Sequence, residues 1–133
     1  MLKYMLDTDI AIYVIKNRPA AARVQFQQQQ GRLCVSSVTV MELMYGAEKS
    51  AQPERNLRDI EGFTRRLRVL EYGEKAAFHT AQIRAELEKS GTPIGAYDQM
   101  IAGHARSCGL IVVTNNIREF QRVSGIRIEN WAQ

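Results

Sequence analysis

The chain has 133 residues, 45% hydrophobic and 24% charged, with 18 basic and 14 acidic side chains for a net charge of +4. Those values suit one folded domain over residues 1–133, with a core of its own, and exclude disordered, collagen-like and mucin-like sequence. The charge leans mildly toward polyanionic partners, and no apolar run approaches the ~18 residues of a membrane span.

Residues 3–6 (KYML) read as a short strand. A helix follows, with Asp7 or Thr8 as its N-cap, and fades by Asn17 and Pro19. The Ala- and Gln-rich residues 20–30 are helical and stop at Gly31. Residues 33–36 (LCVS) are a second strand, and 38–49 a helix with Val40, Leu43, Met44 and Ala47 as its core stripe. Pro53 opens a helix through about Arg66, and 67–70 (LRVL) can be a strand. Residues 74–89 form an amphipathic helix, with Ala76, Thr80, Ile83 and Leu87 on one face. A helix over 97–107 precedes the clearest buried strand, 110–113 (LIVV). A short helix over 116–122 and a strand near 126–128 finish the chain. Strands alternating with helices predict an α/β/α sandwich around a parallel sheet, whose ligands lie at the carboxyl ends of the strands.

Four acids have apolar neighbours: Asp7 and Asp9 after the first strand, Glu42 within VMELM, and Asp98 on a face with Ile101, Ala102 and Ala105. Carboxylates in such settings are costly unless paired, protonated or bound to metal. Capping is the structural alternative for Asp7 and Asp98 but not for Glu42, which is mid-helix. Carboxylates without Cys or His at ligand spacing make an oxygen-donor site, suited to Mg²⁺ or Mn²⁺ rather than zinc. Thr114, Asn115 and Asn116 leave the LIVV strand at the same edge, and either line the crevice or shape the turn. Spacing leaves Glu119 free to reach the cluster or to face solvent. His79 and His104 read as structural or surface residues. There is no GxSxG, P-loop or GxGxxG. Arg55, Arg58, Arg65, Arg66 and Arg68 are interleaved with acids and read as a solvated helix face, with a nucleic-acid patch as the alternative. Cys34 and Cys108 read as reduced, buried thiols. Asp7 and Asp9 break the only apolar stretch of the N-terminus, which therefore does not read as a secretory leader.

The segments LDTD (6–9), SSVTVMEL (36–43), GAYDQMIAGHA (95–105) and VVTNNIREF (112–120) resemble the four blocks of PIN-domain ribonucleases. The chain is most similar to the VapC toxins of type II toxin–antitoxin operons, in their enteric branch. The likeness continues through ELMYGAEKS (42–50), PERN (53–56) and IRIENW (126–131). It implies a sheet of four or five parallel strands and a Mg²⁺- or Mn²⁺-dependent endoribonuclease. The implied substrate is structured RNA, chiefly the anticodon region of initiator tRNA. A VapB-type antitoxin is implied as partner, one that blocks the site and supplies all contact with operator DNA. A homodimer and a cytoplasmic location follow from the same likeness, and Ile12, Tyr13 and Ile15 look exposed enough to serve an interface. Carried over by position, Asp7, Glu42 and Asp98 are the catalytic acids and metal ligands. Asn116 stands where many members have a fourth acid, and Thr114 and Glu119 are accessory candidates. Asp9 replaces the usual Asn of the first block and is expected beside the site. The alternative reading is a nuclease fold that binds RNA or protein without cutting.

Overall fold

A parallel strand pair needs a long crossover, and the helices between the apolar segments supply it. In the computed structural model, which describes residues 1–132, the elements are β1 (Tyr4–Leu6), α1 (Thr8–Lys16), α2 (Ala20–Gln28), β2 (Leu33–Ser36), α3 (Ser37–Glu48), α4 (Pro53–Thr64), β3 (Arg68–Leu70), α5 (Glu74–Lys89), α6 (Ala96–Cys108), β4 (Ile111–Val113), α7 (Ile117–Phe120) and β5 (Ile128–Glu129). Among these residues five strands form one parallel sheet in the order β3-β2-β1-β4-β5. The central strand β1 is registered Met5 to Cys34 on one side and Met5 to Val112 on the other.

Side chains alternate across a strand, so each strand feeds two cores. Tyr4, Leu6, Leu33, Val35, Ile111 and Val113 pack with α1, α2 and α4. Met5, Cys34 and Val112 pack on the opposite face with α5 and α6. Helix α3 joins both, Leu43 and Ala47 in the first core and Val38 in the second. Its stripe therefore differs from the expected one: Val38 and Thr39 are buried, whereas Met44 is 44% exposed. Cys108 is also exposed, because the last turn of α6 carries it out of the core that holds Cys34. Ile12, Tyr13 and Ile15 are half-buried against the first core rather than exposed.

The helix pair α5 and α6 packs backbone to backbone at Gly103, where a Cβ would lie 2.1 Å from Thr80 Oγ1 and 2.7 Å from Thr80 N. Thr80 cannot yield, because its hydroxyl donates to Ala76 O and accepts from Tyr72 Oη, each at 2.8 Å. Gly103→Ala is expected to destabilise the protein by about 1–3 kcal/mol through overpacking, although alanine is the better helix former. An unchanged denaturation midpoint would show that the two helices can separate without cost.

Candidate active site

The order β3-β2-β1-β4-β5 reverses direction between β1 and β4. At such a switch point the loops leaving adjacent strands turn to opposite faces and open a crevice at the carboxyl edge. Asp7 leaves β1 there, and Thr114 to Asn116 leave β4. The two exits are tied together, since Asp7 N donates to Val113 O at 2.9 Å.

Asp7, not Thr8, is the N-cap of α1: its Oδ1 accepts from Ile10 N at 2.9 Å. It is only 2% exposed. Burial raises its pKa to about 7, aided by the charges of Asp9 and Asp98 and opposed by the Thr114 hydroxyl and the Ile10 N–H. Thr114 is itself fully buried, and its Oγ1 accepts from Asn116 N at 2.8 Å.

Asp98 lies in the first turn of α6 but is not its cap; that position is Gly95, and no side chain caps the helix. Its face-mates Ile101, Ala102 and Ala105 are fully buried, which turns Asp98 toward the sheet edge. Burial raises its pKa to about 6, with Glu119, Glu42 and Asp9 adding to the rise and the Asn116 amide opposing it. Asn116 Nδ2 also donates to Glu119. The amide therefore stands between two carboxylates, and it supplies donors where a fourth acid would add repulsion.

Glu42 comes from α3, on the β2 side of the crevice. Thr8 donates to its Oε1 at 2.7 Å and lies 3.3 Å from the buried Thr39 hydroxyl. Sequence reasoning missed this clamp on Glu42; the signal was the threonine between the two acids of LDTD. Asp9 is exposed at the second position of α1, and its charge reaches both Asp7 and Asp98.

All the candidate acids thus border one crevice, but they do not close on one point. Among the described residues no three carboxylate, imidazole or thiol groups converge tightly enough to ligate an ion by themselves. Water can complete the coordination of an ion held by the expected ligands Asp7, Asp98 and Glu42. The donors are nonetheless all hard oxygens, and the histidines are engaged elsewhere. His104 Nδ1 is 2.8 Å from Ser36 Oγ, and His79 Nδ1 accepts from Arg106 Nε at 2.8 Å. Mg²⁺ keeps several waters and takes only one or two carboxylates, so the donor set fits such an ion and not zinc.

A model of the PIN domain family matches residues 4–126. Over 132 residues, covering 99% of this chain and 100% of the relative, the chain is 64% identical to the tRNA(fMet)-specific endonuclease VapC of Shigella flexneri. A crystal structure of DNA-bound VapBC from Salmonella typhimurium superposes with a TM-score of 0.94 at 62% identity, covering 98% of this chain and 99% of that one. VapBC2 from Rickettsia felis, bound to a DNA fragment from its promoter, gives 0.92 at 35% identity, covering 98% and 99%. Among the described residues no helix is long and apolar enough to cross a membrane.

Proposed function

Because the chain belongs to the PIN domain family, we propose that it is the VapC-type toxin of a type II toxin–antitoxin pair and cuts the anticodon region of initiator tRNA. It works in the cytoplasm with Mg²⁺ or Mn²⁺, and a VapB-type antitoxin restrains it and carries it to operator DNA. The observation that supports this best is the meeting of Asp7, Glu42 and Asp98, from three separate segments, at the switch point of the sheet.

Each residue has a task that its surroundings suit. Asp7 and Asp98 are the cation holders, since each is raised by burial and by neighbouring acids. A divalent ion held there would add Lewis-acid charge at a phosphate oxygen and acidify a bound water. Glu42 has one oxygen engaged by Thr8, which fixes the carboxylate and leaves the other oxygen to orient the attacking water and take its proton. Thr114 supports Asp7 from within the fold, and Asn116 holds Glu119 and Asp98 apart. An unpaired loop suits the open crevice because its bases can be splayed away from the scissile phosphate.

Incubating the purified chain with Mg²⁺ and total tRNA, then sequencing the new RNA ends, tests the reading. One dominant pair of ends in the anticodon loop of initiator tRNA is expected. Intact RNA, or cutting that persists in excess chelator, would overturn it and favour a binding module.

Asp9→Asn restores the family's usual residue and removes an exposed charge that repels both cation holders. Cleavage should stay within about threefold of the parent, equivalent to ~0.6 kcal/mol. Complete loss in a Mg²⁺ titration of the variant would make Asp9 a required ligand. The chain is also expected to form a homodimer. The element with the most exposed large apolar side chains is not α1 but α3, where Met41, Met44 and Tyr45 are 43%, 44% and 62% exposed. A monomer by light scattering at about 50 µM, well above the Kd of stable interfaces, would count against it.

A further inference from the structure

Beyond the acidic crevice, α1, α3 and α4 enclose a hollow of about 720 Å³ that includes Glu42 in its wall. A second hollow of about 270 Å³, between α1, α2 and α4, adjoins the first and shares Ile15 and Asp59 with it. The two make one trench that starts at the catalytic edge. Six basic side chains line it, Lys16, Arg18 and Arg55 in the first part and Arg23, Arg58 and Arg66 in the second, against the acids Glu42 and Asp59. None of the six lies within ion-pair distance of a carboxylate; Arg65–Glu61, outside the trench, is the one ion pair among the described residues.

A second observation concerns two glycines. Gly46 and Gly62 stand in the trench walls, in the last turns of α3 and α4. A Cβ at either would meet nothing within 4 Å. Packing inside the chain therefore does not require them, unlike Gly103. Each is a poorer helix former than alanine. Gly62 lies one turn after Arg58 on α4, Arg66 follows just beyond the end of the helix, and all three line the second hollow. A helix that gives up side chains between unpaired cations leaves room for a chain of anions to approach its backbone.

We propose that this trench carries the sugar-phosphate backbone of the RNA that flanks the cleavage site. Arg58 and Arg66 bind phosphates at its far end, and Gly46 and Gly62 keep its walls low enough for the strand to enter. The inference rests on the ribonuclease reading and extends it from the scissile bond to the path of the substrate. It also divides the arginines on α4 and at its end into two kinds. Arg65 is the solvated, salt-bridged residue that interleaved charge predicts, and Arg58 and Arg66 are the nucleic-acid patch.

The test uses the full chain in an Asp98→Asn background for binding and in the parent for cleavage. The probe is a tRNA, bound over a series of salt concentrations. Arg58→Gln with Arg66→Gln should weaken tRNA binding about tenfold or more and lower the log–log salt slope by about two, one per phosphate contact. Cutting of tRNA at a low, subsaturating enzyme concentration should fall in proportion to the lost binding. Gly62→Gln should raise the melting temperature, because glutamine is the better helix former, yet weaken tRNA binding; opposite signs cannot come from misfolding. An unchanged salt slope in the double variant would overturn the proposal. So would normal tRNA binding combined with loss of antitoxin binding, which would make the trench a protein surface. If the parent does not cut tRNA, the ribonuclease reading fails; whether the trench binds RNA is then still decided by the salt slopes.

Discussion

Asp7→Asn is expected to abolish RNA cleavage while making the protein more stable. The two effects have separate causes. The carboxylate is 2% exposed, and its pKa is raised to about 7 from an ordinary value of 3.8. The sign of the stability effect follows from proton binding. Below about pH 4 the group is protonated in both the folded and the unfolded chain and costs nothing. As pH rises toward 7 the unfolded chain releases its proton first, so folding stability falls, and the loss is complete above pH 7. Asparagine has no charge to bury. Asparagine also caps helices as well as aspartate does, so Ile10 N–H keeps its acceptor. The gain near pH 8 should be about 2–4 kcal/mol, on the order of 10 °C in melting temperature, and should vanish near pH 4. Cleavage should fall at least ~10³-fold, the equivalent of losing ~4 kcal/mol of transition-state stabilisation at a cation-holding carboxylate. Asp7→Ala separates the two causes. It removes the charge and the cap together, so its stability gain should be smaller by about 1 kcal/mol. Near-normal cutting by Asp7→Asn would take Asp7 out of the site, and a melting temperature unchanged at pH 8 would show that its charge is solvated.

The residues that could be read from sequence were those with an anomalous neighbourhood. Asp7, Glu42 and Asp98 stood out as acids among apolar residues, and strand–helix alternation was enough to send Asp7 and the Thr114 loop to one edge. The LIVV strand was legible because uncharged β-branched residues are buried on both faces. The α3 stripe was not, because α3 touches two cores and so has no single face to mark with a period. The partners of the acids were also out of reach. Thr8 meets Glu42 across 34 residues, and the couplings of Asp98 to Glu42 and Asp9 join elements far apart in sequence. Interleaved charge predicted a solvated face, and Arg55, Arg58, Arg65, Arg66 and Arg68 are all exposed, but it could not show what each one borders. Periodicity says which residues share a face, but only the groove between helices shows that Arg58 and Arg66 face a hollow while Arg65 faces Glu61.

The second large effect is the response to divalent cations, which should depend steeply on pH. Burial and neighbouring acids hold Asp7 at about 7 and Asp98 at about 6. A cation binds carboxylates only when they are ionised, so it must displace the protons that these two groups hold near neutrality. Near pH 5 both are largely protonated, and millimolar Mg²⁺ should shift the melting temperature by little, about 1–2 °C. Near pH 8 both are charged and repel each other, and the same Mg²⁺ relieves the repulsion. At about 100 times its Kd the ion stabilises by ~2.7 kcal/mol, on the order of 10 °C. Without Mg²⁺, stability should fall as pH rises from about 4 to 7; with it, the decline should flatten or reverse. Calorimetric titrations in buffers of different ionisation heat provide a second readout. Close to pH 6.5, binding should release about one proton, and Asp7→Asn should cut that release. Equal stabilisation at pH 5 and pH 8, or binding without proton release, would mean that the ion is held elsewhere. That result would separate the acids of the crevice from the cation and leave the raised carboxylates to be explained by burial alone.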